Sequence, residues 1–176
     1  MTEIFIVRHG EASWEAESDA ERNLTERGIA QADCAARFLA GNVAQMNRIF
    51  VSPYTRAQQT AIPILKAFSK DIGETARWLV PSTTAAQTLE GFAVAFASEL
   101  EQEDGEGYKN KACVFVSHQP LVSSLVAYLV DGTVRTAAKY PMDTASIAHI
   151  SSENSLPGCA ELKGLHHFND YRLDIS

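Results

Sequence analysis

Three short apolar runs in this chain each break into a turn that carries a cationic or imidazole side chain, and that repetition limits the fold more than any other feature. Residues 4–11 read IFIVRHGE, residues 49–60 read IFVSPYTRAQQT and residues 113–122 read CVFVSHQPLV. A run of three to five apolar residues rich in β-branched and aromatic types, bounded by turn formers, is a strand buried on both faces. Helical patterns follow each run. Strand–helix units of this kind build a parallel sheet, whose strand ends line up along one ligand-binding edge. Arg8 and His9 close the first run, Ser52 and then Arg56 follow the second, and Ser117 and His118 close the third. A parallel sheet therefore gathers two arginines and two histidines. Taken alone, His9 has a bland explanation as a satisfied histidine at a strand end; three convergent strand ends argue against it.

The rest of the chain fits the same class. Strand patterns fall at 3–7, 48–52, 77–80, 112–117 and 145–151, with helical patterns between the first four. Residues 12–24 form a long polar loop. Thr25 reads as an N-cap, and Ile29, Ala32, Ala36 and Leu39 give the next helix an apolar face before Gly41 and Asn42 end it. A second helix is expected over 55–69, with Pro63 kinking it or ending an early segment. A third is expected over 86–102 and a fourth after His118, where Pro120 suits a first turn. EDGEG at 103–107 reads as a solvated acidic turn without the spacing of a calcium loop. Residues 152–159 lead into a last strand at 160–165. The predicted fold is α/β: one domain over 1–176, three αβα layers around a mostly parallel central sheet, and an antiparallel hairpin at the C-terminal end.

Bulk properties narrow the function. A length of 176 residues with 45% hydrophobic content suffices for one core. No apolar stretch is long enough to span a bilayer and no leader pattern opens the chain, so a cytoplasmic protein without membrane association is expected. Cys34, Cys113 and Cys159 show no CxxC spacing, which favours reduced thiols. A net charge of −7 with no basic cluster excludes nucleic acid as a partner. An anion pocket in so acidic a chain has to be built locally.

Arginine donates two parallel hydrogen bonds to phosphate oxygens, so a pocket of two arginines and two histidines fits a phosphate dianion. A neutral imidazole nitrogen can also attack phosphorus when the other ring nitrogen is held protonated. His9 is the better nucleophile, because Gly10 beside it allows a close backbone approach or a positive φ. His118 is then expected to be a second, charged imidazole stabilising the equatorial oxygens. His149 alternates with apolar neighbours and reads as structural; His166 and His167 lack a third metal ligand and read as tail residues. Trp14 is either a lip of the site or an ordinary half-buried tryptophan.

With these residues in view, the chain resembles the histidine phosphatase superfamily, whose hallmark is an RHG at the first strand, here Arg8-His9-Gly10. The resemblance implies that His9 is phosphorylated transiently, that Arg8 and the Arg56 of an SPxxRAxQT-like segment bind the phosphoryl group, and that His118 completes the pocket. Within the superfamily it is most similar to small bacterial phosphohistidine phosphatases of the SixA type, through its length, the SDxxRxLT-like segment at 18–25, SHxPLV-like residues 117–122 and the hairpin. Asn23 stands where proline is usual. By that likeness Arg22 is a further phosphate-binding cation; the alternative is a solvent-facing arginine paired with Glu21 or Glu26.

Larger relatives bring a general acid on an insert between the second arginine and the last histidine. Only 61 residues lie between Arg56 and His118 here, and a strand and a helix consume most of them. Glu90 is the sole carboxylate in a plausible connector and reads as a solvated helix residue; Glu11 and Asp19 are rivals from the first loop, each read as structural. An open, insert-free site suits a phosphorylated side chain on a protein surface, and an imidazole leaving group needs little acid. The expected function is removal of phosphate from phosphohistidine on a signalling phosphoprotein, through a phosphohistidine intermediate at His9. No cofactor and no metal are expected. The rivals are a broader phosphomonoesterase and a phosphoprotein-binding module without chemistry. The oligomeric state is not legible, and a monomer is compatible with this reading.

Overall fold

The computed structural model describes residues 1–101, 111–154 and 156–168. Strand β1 (Thr2–Arg8) is followed by α1 (Glu26–Asn42), β2 (Arg48–Val51), α2 (Thr55–Ala67), the two-residue β3 (Glu74–Thr75), α3 (Ala85–Glu101), β4 (Lys111–Ser117) and α4 (Leu121–Asp131). Strands β5 (Ile147–Ser152) and β6 (Glu161–His166) end the described chain. Their order across the sheet is β3-β2-β4-β1-β5-β6. The first four in that order run parallel, and β5 and β6 are antiparallel to their neighbours.

Alternation along the strands divides the core between two layers of helices. Phe5 and Val7 of β1 and Val114 and Val116 of β4 pack with Ala35 and Leu39 of α1 and Ala57 and Ile64 of α2. Ile4, Ile6 and Phe115, one residue out of step, face Phe92 and Phe96 of α3 and Val122 and Leu125 of α4. Covering both faces explains why the strands read as unbroken apolar runs. The fold is the expected three-layer α/β sandwich with its C-terminal hairpin.

Local differences have physical causes. Residues 77–79 form a 3-10 turn, and the strand lies just before it at Glu74–Thr75. Ala76 N donates to Val51 O as the last sheet bond, after which Leu79 is buried through the turn rather than along a ladder. Strand β5 begins at Ile147 because Ala145 adopts a φ of 59°, which no strand accommodates. Helix α2 continues through Pro63 to Ala67. Thr25 caps α1 as expected, accepting from Gly28 N at 3.0 Å, and the helix runs through Gly41 to Asn42. Its buried face is Ala32, Ala35, Ala36 and Leu39, with Ile29 outward. His166 is the last residue of β6 and its ring lies 4.2 Å from that of Phe38, tilted by 37°, and His167 meets Ser146 Oγ at 2.8 Å, so neither is a loose tail residue. The acidic segment 103–107 lies outside the described residues.

Candidate active site

The register brings three strand ends to one level. Arg8 of β1 stands opposite Ser117 of β4, and Val51 of β2 opposite Val116. Backbone bonds extend the match beyond the ladder, with His9 N donating to Ser117 O and Ser52 N to Val116 O, each at 3.0 Å. Because β4 lies between β1 and β2, His118 emerges between His9 and Ser52. Arg56 joins them from the first turn of α2.

His9 is 8% exposed, and its Nδ1 lies 2.7 Å from Gly10 O. A carbonyl only accepts, so Nδ1 carries the proton and Nε2 keeps its lone pair. Arg56 Nε donates to that Nε2 at 3.1 Å. Burial pulls the His9 pKa down to about 4, with Arg56, Arg8 and Arg22 adding to the effect and the Gly10 carbonyl opposing it. His9 is thus a neutral imidazole with an unprotonated nitrogen facing cations. Gly10 has no positive φ; it is required for close approach, since a Cβ there would stand 2.5 Å from Gly28 O.

The His118 ring lies 5.0 Å from that of His9, and its Nε2 is 2.7 Å from Ser52 Oγ. Burial first, then His9 and Arg56, hold its pKa far below the usual histidine range, with Asp19 opposing them. With no anion in the pocket His118 is thus held neutral; the charged form expected of it belongs to the transfer step. Arg56 reaches Asp19 twice, Nη1 to the main-chain carbonyl and Nη2 to Oδ2, the latter at 3.1 Å. Arg8 donates from Nη1 to Met142 O at 2.8 Å, and its buried Nε finds no partner among the described residues. Arg22 pairs with Asp19 at 3.1 Å, rather than with Glu21 or Glu26, and donates to Ser13 O and Ala12 O. Its guanidinium lies 3.7 Å from the ring centre of Trp14, which is 85% exposed at the mouth of this cluster.

Residues 4–79 match the histidine phosphatase superfamily (branch 1). Over 150 residues the chain is 35% identical to the phosphohistidine phosphatase SixA homolog of Haemophilus influenzae, covering 82% of this chain and 86% of that protein. It is 30% identical over 159 residues to phosphohistidine phosphatase SixA of Escherichia coli, covering 87% of each. The chain belongs to the histidine phosphatase superfamily. Its fold follows the solved structure of the protein histidine phosphatase SixA complexed with tungstate, with a TM-score of 0.75 and 27% identity over 94% of this chain and 96% of that one. His118 lies outside the 4–79 match and within the long SixA-like alignment of nearly the whole chain.

In this histidine phosphatase the carboxylates separate by position. Asp19 is in the cluster, where burial raises its pKa but hydrogen bonds from Arg56 and Arg22 outweigh that and hold it ionised. Glu11 accepts from Thr25 Oγ1 at 2.8 Å and from Arg27, a structural use. Glu90 lies elsewhere, lining a cavity of about 500 Å³ with Arg48, Glu74 and Trp78 beside β3. Among the described residues no group of His, Cys, Asp and Glu is placed to hold a metal ion, and no helix is long and apolar enough to cross a membrane.

Three members of the cluster were seen in the sequence without their part in it: Asp19 was read as structural, and Ser52 and Thr60 were given no contact of their own. Asp19 sits three residues before Arg22, a spacing suited to an ion pair within one turn. Ser52 precedes a proline at a strand end. Buried Thr60 accepts from Gly10 N at 3.0 Å and donates to Arg56 O at 2.7 Å, tying the β1 turn to α2. With a lone pair, three guanidinium groups and a buried N–H-bearing ring, the cluster can bind a phosphoryl group and accept it on nitrogen.

Proposed function

We propose that this histidine phosphatase removes the phosphoryl group from phosphohistidine on a protein domain, a signalling phosphoprotein being the partner, through a covalent intermediate on His9. The observation that carries this reading is the pairing of His9 Nδ1 with Gly10 O, which commits the other nitrogen, Nε2, to nucleophilic use. In the first step Nε2 gives up the hydrogen bond from Arg56 Nε and bonds to phosphorus as the substrate's P–N bond breaks, and the departing imidazole takes a proton from solvent. Water then attacks phosphorus, the bond to His9 breaks, and inorganic phosphate leaves. Arg8, Arg22 and Arg56 bind the phosphoryl oxygens. His118 completes the pocket, and a dianion beside it would raise its pKa toward protonation.

The substrate class follows from the leaving group. Asp19, the carboxylate that contacts Arg56 and Arg22, is held ionised by those two arginines, so it is a poor proton donor. An alkoxide would leave slowly from such a site, whereas an imidazole is protonated readily near neutral pH. Both phosphohistidine phosphatases among the relatives support the same class. Incubation with a radiolabelled phosphohistidine domain should release inorganic phosphate and, on quenching, leave acid-labile label on the wild type and none on His9→Ala. Faster turnover of aryl or alkyl phosphates than of the phosphohistidine domain would favour a broader phosphomonoesterase. A wild type that binds the domain and releases no phosphate would leave only a binding module.

A further inference from the structure

The Asp19 carboxylate takes up guanidinium donors of the candidate site. Its Oδ2 lies 3.1 Å from Arg56 Nη2 and its Oδ1 3.1 Å from Arg22 Nη1, so a single carboxylate spans two guanidinium groups. We propose that Asp19 is an internal competitor for the phosphoryl anion, one that weakens the hold of the pocket on inorganic phosphate and so favours product release. This rests on the reading above, in which Arg56 and Arg22 bind the phosphoryl oxygens.

A purely positioning role is poorly matched by the contacts. Arg56 is fixed without the carboxylate, through Nε to His9 and through Nη1 to the Asp19 main-chain carbonyl, an anchor that any residue at this position supplies. Arg22 is likewise fixed by Ser13 O, Ala12 O and the Trp14 ring. What the Asp19 side chain adds is charge. It is 54% exposed, while the Arg56 and Arg22 side chains it bridges are 5% and 13% exposed, so it closes on the pair from the solvent side. A dianion arriving from that side meets Nη2 already occupied, and has to displace the carboxylate or share the donor with a like charge.

The test is calorimetric titration of the full chain with inorganic phosphate and with tungstate, comparing wild type, Asp19→Asn and Asp19→Ala at neutral pH and one ionic strength. Both variants should bind the anions about five-fold more tightly, the scale of one partly exposed ion pair. Phosphate should become a correspondingly stronger product inhibitor. Asp19→Asn is nearly isosteric and keeps the test open if the alanine variant fails to fold. Unchanged or weaker anion binding in the folded variants would overturn the proposal and make Asp19 a positioning residue. Arg56→Ala serves as the second arm. If it binds phosphate as tightly as wild type, the reading of Arg56 as a phosphoryl ligand fails, and the competitor falls with it.

Discussion

His9 and Arg56 are joined by one hydrogen bond from Nε, and that detail makes arginine at position 56 hard to replace. Lysine offers a single ammonium group, which cannot hold His9 and the Asp19 carbonyl before the reaction and then turn a fork of N–H groups on the phosphoryl oxygens. Arg56→Lys should therefore lose a few kcal/mol of transition-state stabilisation in kcat/KM, on the order of 100-fold, with the fold retained by circular dichroism. Wild-type turnover in that variant would show that charge alone suffices. At this scale the sequence was legible where function sits at a strand end. Arg8, His9, Arg56 and His118 follow apolar runs that fix their level in the sheet. Asp19 was singled out there but read as structural, because it lies in a polar loop where Glu15, Glu17 and Glu21 offer the same charge, and only the path of the loop decides which carboxylate meets Arg56.

The amino end of α1 lies against the turn after β1 with no room between the backbones. A Cβ on Gly28 would stand 2.0 Å from Glu11 O, and the reciprocal one on Gly10 would stand 2.5 Å from Gly28 O. Two glycines thus let a helix touch the turn that carries His9. Gly28→Ala would push α1 off that turn, and should cost about 1–3 kcal/mol of stability together with most of the activity, measured by denaturant unfolding and turnover. Loss of stability without loss of activity would mean that the turn holds its own shape. The elements were legible to the extent that burial on two faces dictates composition, as in β1, β2 and β4. It failed at residues 77–80, where Trp78 and Leu79 are covered by a 3-10 turn, since an apolar run reports burial and not backbone conformation. It also set β5 two residues early, because nothing in an alanine announces the positive φ of Ala145. Ile29 matched the helical period, yet the buried stripe of α1 is made of alanines that allow close packing.

For the whole molecule, two buried neutral histidines tie stability to pH. The His9 pKa is lowered from the ordinary value of 6.5 to about 4, and that of His118 is lowered too. The unfolded chain therefore binds protons that the folded chain refuses. Stability is fully present above pH 6.5 and declines as pH falls from there toward 4, by on the order of 3 kcal/mol for His9. Urea unfolding across that range should show the decline, and His9→Gln should flatten part of it; an equal slope in both proteins would mean that other groups set it. The strand order carries a consequence in time. Among the described residues strand β1 bonds to β4 and β5, and β2 to β3 and β4. A nascent chain that has reached the end of α3 already owns Arg8, His9, Arg22 and Arg56, yet the strand that would set them side by side has not been made. A ribosome-stalled fragment of residues 1–101 should take up no phosphate label from a phosphohistidine donor, so the enzyme stays silent on the ribosome until β4 has been made.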